Sequence, residues 1–266
     1  MESRHHSRRK FIRNAATGLL VPSLMSSIVR GSVPLPLGFF NGSSSVAGPS
    51  VLPSDFSNMA FWYRSMDLAL ADGDPVGTWV DRSSNHNDAT ITGTARPLFK
   101  TSILSGQPAL RFDASDDHMN FSIFSMFADF TILLLVKPAA AGVVFLGRWG
   151  IVTYLALGVG GPANCVRIYN TGTSEGLNSS TFGGVETDAK LVVLRKIGST
   201  LTFRENKTAR GSGSYGTWQL DAIGAAGNAA NGDYFELAVF NGTGIADADL
   251  DSLYDNYFKF YYPSLP

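Results

Sequence analysis

One cysteine, Cys165, is present in 266 residues. A single thiol excludes an internal disulfide and any cysteine-based zinc cluster. Its setting, Cys165-Val-Arg-Ile-Tyr169, is strand-like and suits a buried, inert thiol. Histidine is also scarce. Of four, His5 and His6 fall in the amino-terminal leader, and His86 and His118 stand in polar loops where solvated side chains are expected. Charged residues make up only 16% against 44% hydrophobic, so the chain can bury a sizeable core and is not disordered as a whole. No apolar run is long enough to span a membrane, which takes about 20 residues. The longest, residues 15–29, is broken by Pro22, so no stable membrane span is expected in the mature protein. A surplus of positive charge is missing too. Beyond residue 47 there are 15 basic and 21 acidic residues, a balance that excludes nucleic acid as the expected partner.

What is present begins with an address. Ser7-Arg8-Arg9-Lys10-Phe11-Ile12-Arg13 matches the twin-arginine export signal in full, with the apolar stretch behind it as the h-region. Arg8 and Arg9 would engage the twin-arginine export machinery, and the folded protein would be delivered to the periplasm or the cell exterior of a bacterium or archaeon. Small residues at Ser45-Val-Ala47 offer a cleavage position. The expected organisation is a signal peptide and linker over residues 1–47, a further linker over 48–58, and one domain over 59–262.

The body reads as strands separated by Gly and Asx turns. Leu110 and Phe112 alternate with Arg111, the period of a half-buried strand. Thr131-Ile-Leu-Leu-Leu-Val-Lys137 is a continuous run of β formers closed by Pro138. Residues 143–146 and 151–157 flank Gly147-Arg-Trp-Gly150, a hairpin tip, and Ile197-Gly198 separates two more strands tightly. Tyr234, Glu236, Ala238 and Phe240 alternate with Phe235, Leu237 and Val239. Then the period changes. Leu250, Leu253, Tyr254, Tyr257, Phe258 and Tyr261 fall on one face of a helix, with Asp247 and Asp249 in its first turn. Many short strands and one late helix predict an all-β fold, an antiparallel β-sandwich with one short carboxyl-terminal helix.

Several stretches also carry a resemblance. Trp62-Tyr-Arg-Ser, Asp72-Gly-Asp-Pro-Val-Gly-Thr-Trp79, Asp81-Arg-Ser-Ser-Asn-His-Asn-Asp-Ala-Thr90, Ala95-Arg-Pro97, Pro108–His118 and Asp233-Tyr-Phe-Glu-Leu-Ala-Val-Phe-Asn241 resemble bacterial laminin G-like, concanavalin A-like jelly-roll domains. The resemblance covers about residues 59–262. It implies a jelly-roll sandwich with Trp62 and Trp79 in the core. That architecture hosts lectins, glycosidases and adhesion modules alike, so it does not by itself assign an activity. Relatives often cap the last helix with Ser or Thr, and here Ala246 stands in that place.

Three kinds of chemistry are open. Asp113, Asp116 and Asp117 could supply part of a calcium site, since Ca²⁺ takes six to eight hard oxygens; the resemblance points the same way, and the alternative is a polar turn whose carboxylates bond backbone amides or pair with Arg111. Asp81, Asn85, Asn87 and Asp88 form a second oxygen-rich loop, of a composition common in turns. Glycoside hydrolysis needs two carboxyls about 5–10 Å apart. The glucanases of this fold use Glu-x-Asp-x-Glu; Glu186-Thr-Asp188 begins that pattern but Lys190 ends it, so a glucanase of that kind is not expected. Gly172-Thr-Ser-Glu-Gly176 and Gly158-Val-Gly-Gly-Pro-Ala163 match a nucleophile elbow and a dinucleotide fingerprint only as strings, for neither leads into a helix. Sugar rings stack on aromatic faces while planar polar groups hold their hydroxyls. Arg148 with Trp149, and Tyr215 with Trp218, are the candidate ligand-binding residues. The function expected is non-catalytic binding of a glycan or another cell-surface polymer. A polysaccharide hydrolase and an adhesive protein with no small-ligand site are the alternatives.

Overall fold

Leu110 and Phe112 are fully buried and Arg111 between them is exposed, as their alternation requires. The computed structural model describes residues 48–126, 129–140, 143–148, 151–157, 166–169, 187–214, 218–224 and 230–266. Over these the chain forms β1 (Met59–Arg64), β2 (Thr78–Trp79), β3 (Ala89–Thr90), β4 (Leu98–Leu104), β5 (Gln107–Asp113), β6 (Met119–Met126), β7 (Phe130–Pro138) and β8 (Val143–Arg148). There follow β9 (Ile151–Leu157), β10 (Val166–Tyr169), β11 (Lys190–Ile197), β12 (Thr200–Glu205), β13 (Thr208–Ser214), β14 (Trp218–Ile223) and β15 (Asn231–Asn241). A helical segment closes the chain: α1 (Asp247–Leu253), a π turn (Tyr254–Phe258) and α2 (Lys259–Tyr261).

Two antiparallel sheets stack. Sheet A runs β13-β12-β11-β7-β15-β5-β4, with β1 also on β15; sheet B runs β10-β9-β8-β14-β6-β3-β2. Between them lies one apolar interior. Sheet A contributes Phe61, Tyr63, Phe112, Ile132, Leu134, Val136 and Tyr234; sheet B contributes Trp79, Phe121, Phe145, Leu155 and Leu220. Rings dominate its centre: Phe61 stacks on Tyr63 at 5.0 Å between centroids, and Tyr63 on Trp79 at 5.5 Å. Each such side chain contributes about 1.5–3 kcal/mol through the apolar area it takes from water.

The helical segment covers the other face of sheet A. Leu250, Leu253, Tyr254, Tyr257 and Phe258 pack on Trp62, Leu133, Leu135, Val193 and Phe240. Strand β7 is therefore buried on both faces. That is why it reads as an unbroken apolar run, whereas β5 alternates. The helix begins after Ala246, which makes no side-chain cap. Arg195 and Arg204 meet Asp247 in the first turn instead, at 3.1 and 2.8 Å. The Ile197-Gly198 hairpin forms with Ile197 opposite Thr200.

Strand β15 corrects the simple alternation expected of it. It pairs with β5 from Asn231 to Tyr234 and with β1 from Glu236 to Phe240, and a bulge separates the two stretches. The bulge places Tyr234 in the interior between the sheets, while Phe235, Ala238 and Phe240 face the helix. At the change of partner the buried Ser65 hydroxyl lies 2.9 Å from the Phe235 carbonyl and 2.8 Å from that of Pro108. It serves two carbonyls where the strands part.

Candidate functional site

The acidic turn joins β5 to β6. Asp113, Asp116 and Asp117 each bring a carboxylate oxygen to within 4.8 Å of the others. Ala114 sits at φ 68°, which tightens the turn, and Asp113 Oδ1 accepts from the Ser115 amide at 2.8 Å. Asp117 is buried, and its Oδ2 accepts from the Asp113 amide at 3.0 Å. Burial, then the Asp113 charge, pushes the Asp117 carboxyl up to about 6. Arg111 does not neutralise this turn. It forms a two-pronged bond with Asp233 on β15, at 2.7 and 3.0 Å. His118 is buried rather than solvated, with Nδ1 2.8 Å from the Asp116 carbonyl; His86 is exposed. The backbone route of the turn fixes His118 under the rim, which residue type alone did not reveal.

The second oxygen-rich loop has its oxygens committed. Asp81 Oδ1 accepts from the amides of Trp62 and Ser83, both at 2.8 Å, and Oδ2 from Ser83 Oγ at 2.6 Å and the Asn87 amide at 2.9 Å. Asp88 accepts from the Asp81 amide at 2.8 Å. Asn85 donates to the carbonyls of Met59 and Ala60, and Asn87 Oδ1 accepts from Ser122 on the other sheet. Four donors on one carboxylate leave it nothing for a metal. This loop staples β1 to sheet B.

On sheet B a row of polar side chains crosses three strands. Arg148 belongs to β8 rather than to the hairpin tip. Its Nη1 donates to Gln219 Oε1 at 2.5 Å, and Gln219 Nε2 donates to Ser125 Oγ at 3.0 Å. Asp221 flanks the row, 3.6 Å from Arg148 Nε. The neighbouring Leu220 points into the interior, so the row lies on the face turned away from it. Its members are half-buried, and Ile123 beside them is exposed. Trp218 lies in β14 opposite Met126. Trp149, Tyr215 and Cys165 lie outside the described residues, as does the residue 1–47 leader. No helix among the described residues is long and apolar enough to cross a membrane.

A deeply enclosed carboxyl group is one that pattern reading passed over. Glu236 is 1% exposed beneath the helix. It accepts from Tyr257 at 2.8 Å, Tyr262 at 3.2 Å and Trp62 Nε1 at 3.3 Å, and Arg64 Nε stands 3.7 Å away. Burial pushes its carboxyl up to about 7, against the pull of Arg64 and the three donors. The Arg64 guanidinium lies over the rings of Tyr261 and Trp62, 4.8 and 5.5 Å from their centroids. A glutamate among aromatic residues in a strand buried on both faces was the available signal.

No family model matches the sequence, and no curated protein matches it. Solved structures of similar architecture exist. Trypanosoma rangeli sialidase in complex with the inhibitor DANA is 9% identical at TM-score 0.48, over 79% of this chain and 35% of that one. Domain 4 of AbnA, a GH43 extracellular arabinanase from Geobacillus stearothermophilus, in complex with arabinotriose, is 13% identical at TM-score 0.44, over 74% of this chain and 98% of that one. The HCR/D W1238A mutant is 9% identical at TM-score 0.43, over 74% and 52%. The chain spans about a third of the length of the sialidase structures.

Proposed function

We propose that this is an exported, non-catalytic binding domain for a glycan or another cell-surface polymer, of the laminin G-like, concanavalin A-like kind. The observation that carries the reading is the Arg148–Gln219–Ser125 row. It presents linked planar polar groups on an outward sheet face, the donor and acceptor pattern that sugar hydroxyls need. Trp149, Tyr215 and Trp218 remain the aromatic candidates for stacking on sequence grounds. The setting of the two described glutamates favours binding over hydrolysis. Glu236 is sealed beneath the helix, and Glu205 is buried against Lys190 and Arg210. Export by the twin-arginine route rests on Arg8 and Arg9.

A glycan array tests the reading. The parent protein is expected to bind at least one polysaccharide class, and the double variant Arg148→Ala, Gln219→Ala to lose tenfold or more, about 1.4 kcal/mol. Absence of binding by intact parent protein, or full binding by the double variant, refutes it.

Calcium at the acidic turn is the second part of the proposal. Asp113, Asp116 and Asp117 fit a hard cation: three converging carboxylates retain unshared oxygens, and a cation would offset the Asp113 charge that adds to burial in raising the Asp117 carboxyl. Calcium at a hundredfold excess over its dissociation constant should then stabilise the domain by about 2.7 kcal/mol. Asp116→Asn should remove most of that gain, and a chelator all of it. Melting curves with and without calcium decide; no shift in the parent protein rejects the site.

A further inference from the structure

We propose that the flank of sheet A carries a separate site for an acidic saccharide unit, a hydroxylated ring bearing one carboxylate or sulfate. The sequence clue is β13, Thr208-Ala-Arg-Gly-Ser-Gly-Ser214. Glycines inside a strand weaken it, and they often mark a place where a ligand or another chain comes close. Here Ala209 and Gly211 line a groove of about 570 Å³ between β11, β12, β13 and the start of α1.

The groove is cationic on its lining. Arg195, Arg204, Lys207 and Arg210 border it, against the single carboxylate of Asp247. The remaining counter-charges stand outside that lining. Asp251 holds Arg204, Asp255 holds Lys207 at 2.7 Å, and Glu205 holds the Nε of Arg210 at 2.8 Å. These bonds fix the cations in place, and a fixed guanidinium binds an oxyanion with little loss of freedom. Arg195 adds a further observation. Its side chain is 11% exposed, and its Nε has no hydrogen-bond partner among the described residues. Its Nη1 donates to the Ile245 carbonyl at 2.8 Å and its Nη2 to Asp247 at 3.2 Å, which holds the guanidinium at the groove's edge. Thr202 and the exposed Ser212 supply hydroxyls beside it. A second hollow of about 330 Å³ next to it shares Lys207 and Arg210.

Calorimetry on the full chain tests this. The probes are an oligogalacturonate, a sulfated maltooligosaccharide and the same maltooligosaccharide without sulfate, at low and raised salt. At least one acidic probe is expected to bind, more weakly in salt, and the uncharged probe to bind at least tenfold less tightly. Which acidic probe binds tells whether carboxylate or sulfate is preferred. Ser212→Glu brings a negative charge to an exposed position and should lower the affinity about tenfold. Lys207→Ala removes an exposed cation and should lower it by a smaller factor. Arg148→Ala, on the other sheet, should leave this binding unchanged, which separates the groove from the glycan row. Failure of both acidic probes, equal binding of the uncharged one, or a Ser212→Glu protein that binds like the parent overturns the proposal.

Discussion

Replacing Glu236 with alanine lowers the stability of the domain by about 3–5 kcal/mol, the usual cost of breaking a buried ion pair from one side. Three losses combine. Arg64, 7% exposed, keeps its charge without its carboxylate. The hydroxyls of Tyr257 and Tyr262 and the indole of Trp62 lose their acceptor. The helix loses the polar contact that fixes it on sheet A. Urea denaturation of the two proteins at pH 8, where the carboxyl is ionised, measures the difference, and a change below about 1 kcal/mol, the size of an ordinary surface substitution, contradicts the account. The same residue sets a pH dependence. Its carboxyl is raised to about 7 in the folded protein, so the native state holds a proton that the unfolded chain releases near 4.5. The stability this confers is complete below about pH 4.5 and is lost as pH rises to about 7. A shift of that size corresponds to roughly 3 kcal/mol. Glu236→Gln cannot titrate, so the stability difference between parent and variant should change by that amount between pH 4.5 and 7 and be level above it.

Gly232→Ala should cost about 2–5 kcal/mol, combining strain at a glycine-only backbone angle with forced overlap. Gly232 has φ +127°, and a Cβ there would stand 2.5 Å from the Lys137 carbonyl oxygen and 2.9 Å from the Pro138 Cα. Both obstacles are backbone of β7, so no rotamer change relieves them. Gly73→Ala is the control: its φ is +87° but nothing lies within 4 Å, leaving only the backbone penalty of about 1–2 kcal/mol. Equal losses in the two variants would show that the close approach of β15 to β7 is not what requires glycine at 232.

These two positions also show what the sequence made legible. Alternation placed Leu110 and Phe112 inward correctly, because β5 has one apolar neighbour layer and one polar face. The helix was readable for the same reason, and its six spaced apolar residues lie on the buried or half-buried side. The rule failed on β15, where a bulge at the change from β5 to β1 moves the register by one. Nothing local announces that bulge; it follows from how two other strands share one edge. The acidic turn was legible because its three aspartates are near neighbours in the chain. The Arg64–Glu236 pair was not, since its members are 172 residues apart and meet only when β1 is laid against β15. His118 looked solvated by residue type, yet the turn carries it under the rim.

The position of β15 has a consequence for how the chain is made. The last of the described strands is the middle plank of sheet A, gripped by β7 on one side and by β5 and β1 on the other. Until it leaves the ribosome, the earlier strands have a gap where their main partner belongs. Closure of sheet A therefore waits for β15, and its distant pairings make that step slow. A chain cut before β15 would keep raw edges on β7, β5 and β1, so the closed form depends on that strand.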